Sequence, residues 1–125
     1  MYERVNTVLQ NSGLGFAYAY PKTLTLPHGS TGTLLVTVVS DNGIPMDLEG
    51  ASVALRMVHP VGGHVLYQVA VLGVARSSQV ALALAPPSSL QVGSYHWDLW
   101  HTVVATGVKH QIFPLSSFLI VQTSQ

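Results

Sequence analysis

The chain of 125 residues balances five Lys and Arg against five Asp and Glu, and only 8% of its residues are charged while 48% are hydrophobic. That length makes one domain with a true core. The aliphatic content excludes disorder, the zero net charge leaves no electrostatic footprint for nucleic acid, and the lack of cysteine excludes a disulfide framework or thiolate metal site. Soluble domains usually carry about 25% charged residues. A surface this poor in charge is weakly protected against self-association, so much of it is expected to be covered by other protein in the working state.

Residues 1–20 differ from the rest of the chain. Asn6, Thr7, Gln10, Asn11, Ser12 and Gly13 are polar or flexible, and Leu14 to Tyr20 is an aromatic, apolar stretch closed by Pro21. The segment is assigned as an extended N-terminal arm ahead of a β-sandwich at 21–125. A loose terminus followed by a first strand is the plainer alternative. As a docking arm it offers Phe16, Tyr18 and Tyr20 as anchors, since aromatic residues are enriched at interface hot spots.

Beyond the arm the periodicity is that of strands. From Thr33 to Ser40, Leu34, Val36 and Val38 alternate with Leu35, Thr37 and Val39, so both faces are apolar. Asp41-Asn42-Gly43 ends that strand with residues that tolerate positive φ. Pro45 fixes φ and withholds an N–H at a strand edge, Asp47 is placed to bond local backbone N–H groups, and Leu48 caps the core. Val53, Leu55 and Met57 alternate with Ser52, Ala54 and Arg56. After Pro60-Val61-Gly62-Gly63 the alternation returns at Val65, Tyr67, Val69 and Val71, which predicts a hairpin.

Val80, Leu82 and Leu84 form a further strand with only Ala81, Ala83 and Ala85 opposite. Pro86 to Leu90 reads as a loop or helical turn crossing between sheets. Tyr95, Trp97 and Leu99 then alternate with His96, Asp98 and Trp100, and Trp97 and Trp100 fall on opposite faces, one of them in the core. Ala105-Thr106-Gly107 turns the chain into Val108–Phe113 and Ser117–Thr123. Seven or eight short strands punctuated by turns predict an all-β sandwich or barrel.

No targeting or membrane segment is visible. Glu3 and Arg4 stand where the apolar part of a signal peptide would begin, and the apolar windows at 65–75 and 80–85 fall well short of the roughly 20 residues needed to span a bilayer. The expected location is the cytoplasm of a producing cell or a particle assembled there.

The search for chemistry returns no catalytic, cofactor-binding or metal residue. His96 and Asp98 share a strand face, half of a triad or a metal site, but no G-x-S-x-G nucleophile elbow occurs, and a polar surface face explains the pair. His28, His59, His64, His101 and His110 are scattered, without the spacing of a metal-binding helix. Neutral histidines suit a low-charge interface, and their protonation on acidification is expected to weaken assembly. Gly13-Leu14-Gly15 and Gly29-Ser30-Thr31-Gly32 lack the lysine and following helix of a phosphate loop.

The segments Leu24-Thr25-Leu26 to Gly29, the strand Leu34 to Val39, the turn Asp41-Asn42-Gly43-Ile44-Pro45-Met46-Asp47-Leu48-Glu49-Gly50-Ala51 and the later Gly93-Ser94-Tyr95-His96-Trp97-Asp98-Leu99 carry a resemblance. In this order they resemble the small immunoglobulin-like β-sandwich of tailed-phage virion proteins, of the type at the N-terminus of baseplate upper proteins. There a D-x-G-x-P-x-D-L-x-G-A turn joins two strands and a G-x-Y-x-aromatic-D segment opens a later one. The resemblance implies a single immunoglobulin-like antiparallel sandwich and a non-enzymatic structural role in the virion.

Two departures from that family bear on the role: the chain stops at Gln125 without a long fibre region, and it carries the arm. Both suit a small capsid cement or decoration protein, with a baseplate or tail adaptor as the alternative. The implied partners are other virion proteins (the major capsid protein, or baseplate and tail subunits) and further copies of the chain in a homo-oligomer, with no nucleic acid, no membrane and no cofactor. The residues expected at the protein interface are Phe16, Tyr18, Tyr20, Leu35, Val39 and Trp100. A host-glycan-binding module with Trp100 as an aromatic shelf, and a small hydrolase built on His96 and Asp98, are the readings from other classes.

Overall fold

The computed structural model describes residues 2–9, 22–40 and 42–122. They form eight strands: β1 (Tyr2–Leu9), β2 (Leu24–Pro27), β3 (Gly32–Ser40), β4 (Ala51–Val58), β5 (Val65–Leu72), β6 (Gln79–Leu84), β7 (Gly93–Val103) and β8 (Lys109–Val121). A three-stranded sheet in the order β1-β3-β6 faces a five-stranded sheet in the order β2-β8-β7-β4-β5. The fold is an all-β sandwich, one of the two forms that the strand spacing predicts. Among the described residues no helix is long and apolar enough to cross a membrane.

The alternation places the core. Leu34, Val36 and Val38 of β3 and Val80, Leu82 and Leu84 of β6 point inward against Val53, Leu55 and Met57 of β4 and Trp97 and Leu99 of β7. Each such side chain contributes about 1.5–3 kcal/mol when removed from water. Trp97 is fully buried, stacks on Phe113 at 4.7 Å between ring centroids, and donates its indole N–H to the Lys22 carbonyl at 2.9 Å. A buried indole needs such a partner, and the bond ties the segment leading into β2 to the middle of β7.

The predicted hairpin is the antiparallel β4–β5 pair. The Pro86–Leu90 segment carries the chain from β6 in the small sheet to β7 in the large one. Gly43 takes φ = 79° in the turn after β3, Asp47 Oδ1 accepts the Glu49 N–H at 3.0 Å, and Leu48 is fully buried. The turn residues therefore act structurally, as their chemistry suggests.

Two features differ from expectation. Residues 2–9, expected as the first part of an arm, are strand β1, paired in parallel with β3 from Tyr2 opposite Thr33 to Leu9 opposite Ser40. Val5 and Thr7 are buried, while Tyr2, Arg4 and Asn6 are exposed. Of the polar residues that suggested an arm, Asn6 lies on the solvent side of this edge strand and Thr7 is buried, while Gln10, Asn11, Ser12 and Gly13 lie outside the described residues. At the other end of the chain, the two expected strands at 108–113 and 117–123 are one strand, β8. Its register shifts between the pairs Trp97–Ser116 and Leu99–Phe113, so Pro114 falls in a bulge where the ladder does not require its missing N–H.

Candidate protein interface

Side chains alternate across a strand, so the residues between the core positions define the outer faces. The outer face of the small sheet is built from Tyr2, Arg4, Asn6 and Val8 of β1, Thr33, Leu35, Thr37 and Val39 of β3, and Gln79, Ala81 and Ala83 of β6. Gln79 donates its side-chain amide to Thr37 Oγ1 at 3.1 Å across this face. Arg4 supplies its charge and lies 5.6 Å from the Tyr2 ring centroid. The remaining positions are small, apolar or hydroxyl-bearing. The surface left is low in charge, the kind that packs on another protein without desolvating ions.

Leu35 and Val39 both lie on this face and are half-buried by their neighbours. Trp100 lies elsewhere, on the outer face of the five-stranded sheet, on the opposite side of the sandwich from them. The structure therefore does not bring these three residues into one site. Phe16, Tyr18 and Tyr20 lie outside the described residues.

The outer face of the large sheet carries an arrangement that sequence reasoning missed. Arg56 of β4 and Asp98 of β7 are direct cross-strand partners. The guanidinium grips the carboxylate with two bonds, Nε to Oδ1 at 3.0 Å and Nη2 to Oδ2 at 2.7 Å. Asp98 is 2% exposed. Its hydrogen bonds hold Arg56 above its ordinary pKa, against the lowering effect of burial. Arg56 also lies 4.9 Å from the centre of the Trp100 ring.

Asp98 is thus committed to Arg56 rather than to His96, which removes the partner a His–Asp pair would need. The side chains of Arg56, Gln68, Trp100, Thr102 and Lys109 border a shallow hollow of about 310 Å³. Among the described residues no group of three His, Asp or Glu could hold a metal.

His101 is the buried histidine, on the core side of β7 opposite His110 of β8. Burial and the nearby His110 lower its pKa, with a smaller opposing effect from its backbone hydrogen bond. Its Nδ1 is enclosed without a hydrogen-bond partner. Elsewhere, His59 and His64 stack at 5.0 Å in the β4–β5 turn. The histidines do not share one face.

No protein-family model matches the sequence, and no curated protein matches it. Among solved structures, the chain is similar to the N-terminal domain of phage TP901-1 ORF48, with 13% identity and a TM-score of 0.61, over 98% of this chain and 100% of that one. The fold expected from the turn motifs is therefore shared, end to end, with a phage protein domain.

Proposed function

We propose that the chain is a non-enzymatic structural subunit of a tailed-phage particle, packed against neighbouring virion proteins through the outer face of its small sheet. The observation that carries this reading is the end-to-end likeness in fold to the N-terminal domain of phage TP901-1 ORF48. The low charge of the face around Leu35 and Val39 supports it. The mechanism is adhesive. Apolar area is buried at about 25 cal/mol per Å², and repetition over symmetric copies turns weak single contacts into a firm lattice.

Within that role we favour a capsid cement or decoration protein, because a sandwich with a nearly uncharged outer face suits attachment to a shell. A baseplate or tail adaptor is the second reading, supported by the resemblance of the turn at 41–51 and the segment at 93–99 to baseplate upper proteins. Labelled antibody against the chain, viewed by electron microscopy on intact particles, separates them. Label over the head supports cement, label at the tail tip supports the adaptor, and unlabelled particles contradict both.

A further inference from the structure

Each edge strand of the two sheets presents unpaired backbone groups to its surroundings, and three of the four edges are protected. Edge β2 has four residues and ends in Pro27. Edge β1 carries Glu3 and Arg4, with Glu3 bridged to Lys22 at 3.2 Å. Edge β6 is plugged from the other sheet by Tyr67, whose hydroxyl accepts the Ala85 N–H at 2.9 Å and donates to the Ala83 carbonyl at 3.4 Å. Charge, proline and covering groups are the ordinary means of protecting an edge.

Among the described residues, edge β5 has none of these. Its sequence from Val65 to Leu72 contains no charge, no Pro and no Gly, and Leu72 is 66% exposed. The hydrogen-bond phase of the β4–β5 ladder shows which groups face outward. Gly73 donates to the Ala51 carbonyl, and bonded pairs alternate along an antiparallel ladder. Tyr67, Val69 and Val71 therefore bond β4, opposite Met57, Leu55 and Val53. The N–H and C=O groups of Gln68, Ala70 and Leu72 point to the open edge.

We infer that this edge pairs with the β5 edge of a second copy of the chain, antiparallel, about a two-fold axis at Ala70. The row is complementary to itself. With Ala70 opposite Ala70, Gln68 faces Leu72 and Leu72 faces Gln68, and each pair exchanges both of its backbone hydrogen bonds. The bulky groups stay off the axis, where the methyl groups of Ala70 permit close approach. No charge is brought against a like charge, which a self-pairing edge requires. The result joins two five-stranded sheets into one continuous sheet and leaves the Leu35–Val39 face free. This inference concerns the isolated chain and does not depend on the cement or baseplate reading.

The full chain is tested by light scattering and by crosslinking. The wild type is expected at twice the 13.3 kDa monomer mass. Ala70→Pro removes only an outward N–H, and Ala70→Lys sets like charges across the axis. Each is expected to lower the dimer fraction by about tenfold or more while the circular dichroism of the sandwich is kept. Since the chain has no cysteine, Ala70→Cys gives a single thiol. At the roughly 5.5 Å Cα separation of a bonded antiparallel pair it is expected to form a covalent dimer under mild oxidation, and Val61→Cys is not. A monomeric wild type overturns the inference. So does a dimer that persists in folded Ala70→Lys, or one that Ala70→Cys fails to crosslink.

Discussion

Arg76 holds φ at 62°, and its backbone N–H donates to Asp47 Oδ1 at 3.0 Å. Among the described residues it is the non-glycine position with positive φ. The same Asp47 oxygen accepts the Glu49 N–H, so one carboxylate oxygen fastens the β3–β4 connection to the β5–β6 connection. Left-handed backbone costs an L-residue about 1–2 kcal/mol, and the carboxylate offsets that cost. Asp47→Ala is expected to lower stability by about 1–2 kcal/mol in urea unfolding, and Asp47→Asn by less, because an acceptor oxygen remains.

Gly73 packs directly against the backbone of Leu48 as the chain leaves β5. A Cβ there would overlap the Leu48 carbonyl, and Gly73 also donates to Ala51. Gly73→Ala must push apart two segments that both anchor the core, at an expected cost of about 1–3 kcal/mol. A thermal melt of the variant is expected to show a midpoint lower by several degrees. An unchanged midpoint would mean the connection yields freely.

The Arg56–Asp98 pair predicts an asymmetry. Asp98 is enclosed, whereas the Arg56 side chain remains 31% exposed and can reach water. Arg56→Met strands a buried carboxylate and is expected to cost about 3–5 kcal/mol. Asp98→Asn leaves a guanidinium that water can solvate, and is expected to cost less. The double variant Arg56→Met with Asp98→Leu is expected to recover part of the loss, since no unpaired charge remains. Urea unfolding of the three variants measures each cost against the wild type.

His101 sets an acid limit on stability. Its folded pKa lies below the ordinary 6.5, through burial first and the nearby His110 second. Below pH 6.5 the unfolded chain takes up a proton that the folded chain resists, so stability falls as the pH drops. Above that pH the penalty is gone. The urea midpoint is expected to be lower at pH 5 than at pH 7.5, and His101→Phe is expected to flatten that slope.

The strands with strict alternation and apolar inner positions were legible from the residues alone. Leu34, Val36 and Val38 announce β3, and Val80, Leu82 and Leu84 announce β6, because a two-residue period admits one buried face. Strand β1 was not legible as such, since its fully buried positions are one apolar residue, Val5, and one polar residue, Thr7, and its outer face mixes Arg4 and Asn6 with Tyr2 and Val8. The continuity of β8 through Pro114 was hidden because a bulge is a property of register rather than composition. Register also hid the Arg56–Asp98 pair, whose members are 42 residues apart and meet only as cross-strand neighbours. The same alternation that placed Leu35 and Val39 together separates them from Trp100, on the far side of the sandwich.

Because β1 completes the small sheet, a truncation is a poor test of docking. Deleting residues 1–15 removes Val5 and Thr7 from their buried positions and uncovers β3, so loss of incorporation would report folding as well as contact. Leu35→Asp with Val39→Asp alters the outer face while the buried residues of β3 stay in place. The pair is expected to leave the sandwich folded by circular dichroism and to prevent incorporation into particles.

The central claim is that this sandwich is a built-in part of a virion, held by its small sheet. Electron cryomicroscopy of intact particles purified from cells that produce the chain tests it most directly. The account predicts symmetric copies of the sandwich on the particle, with Leu35 and Val39 against a neighbouring subunit. Particles without the sandwich, or with that face turned to solvent, would contradict it.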